Sequence, residues 1–197
     1  MRLLIGDVVS AQVAAELCSH ALDVSQTLAA SGPAVLAALR EQPLFMLGVQ
    51  PVAFSEVTLT RHSAERATVT PRARPVSSSR LRVDLVALIF LSSPESYQGG
   101  ELLLDTGFGP ESYRPPLGTC LAFAANAKYE IAPVTQGSSC VASVIVQSGV
   151  REVGQREIIY DVGYALHLLD LFGPEHTHHA DRLRRCHSEL LRLWLET

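Results

Sequence analysis

From Val52 to Ser148 the chain breaks into short segments: VAFSEVTLTRH, LRVDLVALIFLS, GELLLD, SYRPPLGTCLAFA, YEIAPVT and CVASVIVQS. They are rich in β-branched residues and divided by Gly, Pro, Ser and Asn, the pattern of antiparallel strands joined by turns. No helix-length segment interrupts the succession. A doubly wound parallel sheet needs a helical crossover between strands, so the pattern disfavours it and predicts a sandwich or jelly roll.

Helical periodicity flanks this region on both sides. Ser10 is positioned to cap a helix over residues 10–22, with Val13, Leu17 and Leu22 recurring near helical spacing. A second helix is predicted at PAVLAALREQ, with Pro33 near its start. After Gln147 the period returns. Ile158, Ile159, Val162, Leu166 and Leu169 share one broad face, as do Leu183, Leu190, Leu191 and Trp194, and Gly173 and Pro174 punctuate the two runs.

The predicted class is therefore α+β, a jelly-roll or cupin-like core flanked by N-terminal and C-terminal helices. At 197 residues and 47% hydrophobic content, one domain is expected over 1–197. It divides into N-terminal helices at 1–48, a core at 49–148 with a polar loop at 62–80, and a helical region at 149–197.

Sixteen basic against twenty acidic residues, a net charge of −4, provide no general electrostatic basis for binding nucleic acid or an anionic membrane. The longest apolar run, Val86 to Leu91, is far short of the roughly 20 residues a membrane helix requires. Cys18, Cys120, Cys140 and Cys186 show no paired spacing, and the N-terminus lacks the layout of a signal peptide. A soluble, cytoplasmic protein is expected.

Three stretches carry a more specific signal: VDLVALIFLSSPESYQGGELLL, PPLGTCLAFAANAKYEIAPVTQG and VASVIVQSGVREVGQREIIYDVGYAL, followed by HSELLRLWLE. In order and spacing they resemble the PKHD-type hydroxylases, iron- and 2-oxoglutarate-dependent oxygenases with a prolyl-4-hydroxylase-like domain. The YxGGEL turn at Tyr97, Gly99, Gly100, Glu101 and Leu102 is part of the resemblance, as is the run from Pro133 to Arg151. It implies a double-stranded β-helix whose open end holds iron and 2-oxoglutarate.

Such a site needs two imidazoles and one carboxylate on one face of the metal. The loop aligned with the family's His-x-Asp pair reads RATVTPRARP, which places Thr68 and Thr70 in the two slots, or Pro71 or Ala73 in a shifted alignment. The slot of the second histidine holds Tyr129, and no histidine occurs between His62 and His167. Where the family clamps 2-oxoglutarate with a basic residue, the chain has Ser139 or Cys140. The resemblance thus implies a member without its metal ligands, and no cofactor is expected.

Tyr129 either plugs the emptied cavity, its hydroxyl bonded to Thr68 or Thr70, or points that hydroxyl at a ligand as a donor or weak acid. The candidate ligand-pocket residues are Arg61, His62, Thr68, Thr70, Tyr129, Ser139 and Cys140. Arg61, Arg66, Arg72 and Arg74 either attract an anionic ligand or are simply solvated. A rebuilt metal site could use His62 and Glu65, or the histidines His176, His178, His179 and His187; the alternative in each case is a set of solvated side chains. Cys140 is directed by the alignment toward the former cofactor pocket, as a reactive thiol or an inert core residue. Ser138, Ser139 and His167 show no recognisable triad pattern.

Three functions follow as expectations. The first is a non-oxygenase that binds a small molecule or serves as an accessory subunit, as a homodimer or paired with an active relative. The second is a metal-independent cyclase, isomerase or lyase of a specialised biosynthetic pathway, and the third is an oxygenase with rebuilt ligands.

Overall fold

The computed structural model describes residues 2–19, 21, 26–27, 32–64, 81–105, 107, 109–172 and 177–196. The chain opens with a strand, β1 (Arg2–Ile5), that buries Leu3 and Ile5 and exposes Arg2 and Leu4. Helix α1 (Ala11–Ser19) follows, ending three residues before the sequence-based boundary. After β2 (Gln26–Thr27) come α2 (Gly32–Glu41) and α3 (Pro43–Val49). The region expected to be helical over 1–48 therefore also supplies two strands.

The core strands are β3 (Pro51–Phe54), β4 (Thr58–Ser63), β5 (Leu85–Phe90), β6 (Tyr97–Gly99), β7 (Leu102–Asp105), β8 (Pro110–Tyr113), β9 (Cys120–Ala124), β10 (Tyr129–Ile131) and β11 (Val134–Ser148). Helices α4 (Val153–Phe172) and α5 (Thr177–Trp194) complete the order. Strand β4 continues through Ser63, so His62 belongs to the sheet and not to the loop expected from residue 62. Residues 65–80 of that loop lie outside the described residues. Among the described residues, no helix is long and apolar enough to cross a membrane.

Among the described residues every strand pair is antiparallel. The large sheet runs β1-β9-β5-β11-β4-β2, with β3 and β6 also paired to β11, and a smaller sheet runs β10-β7-β8. All six residues of β5 are buried because both faces of the large sheet are covered, which explains its unbroken apolar run. Val86, Leu88 and Phe90 of β5 meet Leu102 and Leu104 of β7 in an inner core between the two sheets. Leu85, Ala87 and Ile89 face the opposite way, toward Leu17 of α1, Leu39 of α2 and Phe45 of α3 in an outer core.

The YxGGEL turn has a structural explanation. Arg114 stacks its guanidinium 4.6 Å above the buried Tyr97 ring, pairs with Glu101 at 3.0 Å and donates to the Pro94 carbonyl at 2.6 Å. One cation thus ties together the chain on both sides of the turn, with Leu102 fully buried behind it. At the far end of β11, the Asp84 carboxylate accepts from the Ser148 N–H (2.9 Å) and from Arg82 (2.9 Å), which also donates to the Ser148 carbonyl. Arg156, 1% exposed, donates to the carbonyls of Val150 and Arg151 and so fixes the entry into α4.

Gly137 separates two uses of positive φ. At φ +75° a Cβ would sit 2.5 Å from the Ser96 carbonyl oxygen, whereas Gly107, at φ +84°, has open space around it. Gly107→Ala should cost only the left-handed backbone penalty, about 1 to 2 kcal/mol. Gly137→Ala adds a backbone clash and should cost more than about 3 kcal/mol. Denaturant titration of both variants checks the order; equal losses would show that the β6–β11 contact yields readily.

Candidate functional site

The register between β4 and β11 decides which candidates meet. Ser139 lies opposite His62, and Cys140 lies opposite Arg61. Successive strand residues point to opposite faces, and directly paired residues share one. Val141, two residues beyond Ser139, belongs to the inner core, while Cys140 belongs to the outer core. His62 and Ser139 therefore occupy the inner side of the large sheet, and Arg61 and Cys140 its outer side. This corrects the expectation that Cys140 faces the former cofactor pocket: the single-residue step along the strand turns it toward the N-terminal helices.

Tyr129 opens β10, which pairs with β7 of the small sheet. Its ring packs edge-on to Phe123 of β9 at 4.9 Å between centroids, against the inner core, and the residue stays partly exposed. Burial pushes its phenol above the ordinary tyrosine range and pushes the His62 imidazole below the ordinary histidine range. At neutral pH both are uncharged, as is the buried Ser139 hydroxyl. The inner side thus presents hydrogen-bonding groups without charge at these positions. Thr68 and Thr70, with Glu65, Arg66, Arg72 and Arg74, lie outside the described residues.

Iron and 2-oxoglutarate do not fit this donor set. A ferrous site of the kind the resemblance implies needs two imidazoles and a carboxylate; the described candidates on the inner side are one imidazole, His62, with the Ser139 hydroxyl opposite it and the Tyr129 phenol on the Phe123 ring. Among the described residues no three His, Cys, Asp or Glu side chains are grouped to hold a metal ion. A neutral serine in the place of a buried cation also leaves a dicarboxylate without its charge partner. His178 and His179 make an edge-on ring contact, while His176 lies outside the described residues. His187, for which the sequence left open a metal-ligand role or a solvated side chain, is partly buried where α5 meets α4, its Nε2 3.1 Å from the place of a Cβ on Gly163.

Sequence reasoning missed Cys18 and Ser92. Cys18 of α1 packs against the outer core where the Cys140 thiol lies, and the Ser92 hydroxyl accepts from the Cys140 N–H at 2.9 Å. No spacing rule links residues so distant in the chain.

No family model matches the chain. Among curated proteins, it is 31% identical over 175 residues to a PKHD-type hydroxylase of Burkholderia ambifaria strain MC40-6, covering 84% of this chain and 74% of that protein. It is 29% identical over 177 residues to a PKHD-type hydroxylase of Methylobacterium nodulans, covering 87% and 78%. Among solved structures, the viral collagen prolyl hydroxylase of Paramecium bursaria Chlorella virus-1 superposes with a TM-score of 0.57 at 14% identity, over 75% of this chain and 96% of that one. A Pseudomonas putida prolyl-4-hydroxylase gives 0.55 at 13%, over 75% and 92%. The structural likenesses establish the fold: a strand-rich core like the double-stranded β-helix of 2-oxoglutarate oxygenases, flanked by N- and C-terminal helices.

The His62 environment has a testable pH consequence. Folding lowers its affinity for a proton, so below the ordinary imidazole range the unfolded chain binds more protons than the folded one. Stability should be unaffected by this group at alkaline pH and should fall as pH drops through about 6.5 toward the lower folded value. Chemical denaturation between about pH 8 and pH 5 should show a shallower loss in His62→Asn than in the parent chain. His187 shifts in the same direction and contributes equally to both, so identical slopes would place His62 in solvent.

Proposed function

The chain belongs to the PKHD-type hydroxylase family, and from that premise we propose that it is a non-oxygenase member, a pseudoenzyme that keeps the fold to bind a small molecule or to serve as an accessory subunit. One observation carries this reading. At each position where the resemblance calls for an imidazole, a carboxylate or a cation, this sequence has a group of another kind: Thr68 and Thr70, or Pro71 or Ala73 in a shifted alignment, Tyr129, and Ser139 or Cys140. The residues that build the turns and the cores around them are kept. Loss of a buried, charge-assisted partner costs about 2 to 5 kcal/mol, a fall of roughly thirty- to several-thousand-fold in affinity for the keto acid alone.

The inner side retains what a binding protein needs. His62 and Ser139, paired across β4 and β11, supply donors and acceptors at one level of the inner face, and Tyr129 supplies another against the apolar ring of Phe123; uncharged polar groups on an apolar wall are the usual make-up of a small-molecule site. A metal-independent enzyme is the second reading. It is favoured by the partly exposed Tyr129, whose burial-raised phenol stays protonated and able to donate to a reacting oxygen.

Calorimetric titration with Fe(II) and 2-oxoglutarate, beside an intact PKHD-type hydroxylase as control, should give no stoichiometric binding. Stoichiometric uptake of both would sink the proposal. Restoring the set with Thr68→His, Thr70→Asp, Tyr129→His and Ser139→Arg should bring metal-dependent keto-acid binding back.

Tyr129 separates the two readings. Tyr129→Ala should cost about 1 to 3 kcal/mol through its lost packing on Phe123, while Tyr129→Phe should leave stability within about 0.5 kcal/mol. A binding protein that uses the ring alone keeps its ligand affinity in Tyr129→Phe. An enzyme that uses the hydroxyl loses turnover.

A further inference from the structure

The outer side of the large sheet holds a second cluster, independent of the inner one. Cys140, 2% exposed, projects from β11 toward Cys18, the next-to-last residue of α1, which is partly exposed. The two thiols are neighbours in the outer core, and the Cys18 thiol donates to the Leu91 carbonyl oxygen at 3.4 Å. The backbone holds the pair firmly: the Leu91 N–H donates to the Cys140 carbonyl and the Cys140 N–H to the Ser92 hydroxyl, both at 2.9 Å.

Arg61 links the two cysteines. It stands opposite Cys140 in the β4–β11 register, donates to the Cys18 carbonyl oxygen at 2.6 Å and hydrogen-bonds to the Cys140 sulfur. A guanidinium and two thiols in contact favour a shared proton with negative charge on one sulfur. The hydrogen bond from Cys18 holds the Cys140 thiol below the ordinary range, against burial, and Arg61 acts in the same direction. The same hydrogen bond, with burial, pushes Cys18 up. Cys120, fully buried in the outer core, is pushed up to about 12 and is inert by comparison.

The geometry points to a redox-modification site, in which hydrogen peroxide converts Cys18 and Cys140 to a disulfide that ties α1 to β11. The Cys140 thiolate attacks one peroxide oxygen, the O–O bond breaks, and hydroxide leaves and takes up a proton as water. Cys140 is then a sulfenic acid. Cys18 loses its proton and attacks the Cys140 sulfur, the S–O bond breaks, and the departing hydroxide takes that proton as a second water. Two thiols are oxidised by two electrons and one peroxide is reduced to two waters. Cys18 is partly exposed, so its side is the one from which a molecule as small as peroxide would reach the pair, and a dithiol reductant reverses the change.

Mass spectrometry of the full chain treated with equimolar peroxide tests this. The expected product has lost two hydrogens, gives a linked Cys18–Cys140 peptide and returns to the starting mass with a dithiol. Cys120→Ser and Cys186→Ser should leave the product unchanged, and Cys18→Ser should stop at a Cys140 sulfenic acid trapped by a diketone probe. Arg61 is a positioning residue here. Arg61→Gln should slow oxidation about tenfold at neutral pH and move the plateau of the rate–pH profile upward, toward the ordinary thiol range. Oxidation first at Cys186 or Cys120, no linked peptide, or an unchanged pH profile in Arg61→Gln would each overturn the assignment. None of these results bears on whether the inner side binds a ligand or a metal.

Discussion

Strand β11 is the constraint on which the rest of the structure depends. Its fifteen residues pair with β6 at one end, with β4 and β5 through the middle and with β3 at the other end. Every side chain along its central part must choose between two covered faces. A slip of one residue would exchange Ser139 with Cys140 and Val141 with Ala142, placing small residues where the inner core needs bulk. Register is therefore held by packing on both sides, and by the Asp84, Arg82 and Ser148 hydrogen bonds at its exit.

That two-faced strand explains how the ancestral site could lose its ligands without losing the fold. The YxGGEL turn that carries part of the resemblance has a structural role: Tyr97 and Glu101 are clasped by Arg114, and Gly99 and Gly100 take positive φ. None of them depends on a bound cation. Of the slots the resemblance assigns, Tyr129 and Ser139 lie on the inner side, between the sheets, where a neutral group is tolerated and an unpaired charge is not. With no metal to neutralise it, an aspartate or an arginine left on the inner side would carry a desolvation cost, whereas Tyr129 and Ser139 carry much less.

The outer face tells a different story with the same geometry. Cys140 and Ala142 are small, which lets α1 pack close to the sheet, and this closeness brings Cys18 to Cys140. Arg61 is partly buried there with its charge directed at the Cys18 carbonyl and the Cys140 sulfur. A cation held this way favours a thiolate, so the packing of one helix and the chemistry of one sulfur have a common cause.

Much of this molecule was legible in its residues. The strand segments and the helical nature of α1, α4 and α5 follow from side-chain periodicity, a local property, while the ligand slots could be read only through the family resemblance. Strand β1 and helix α3 were not: four and seven residues are too few for a periodic signal, and such short elements form only because β9 and α4 are there to receive them. The direction of Cys140 hangs on one residue of register, and its partnership with Cys18 on the docking of a helix from the other end of the chain. The sequence by itself determined the chemistry of the slots the resemblance assigns, because no fold can make a carboxylate or an imidazole from Thr, Tyr or Ser. Which residues share a face was decided by the tertiary structure alone, because that depends on pairing between segments distant in the chain.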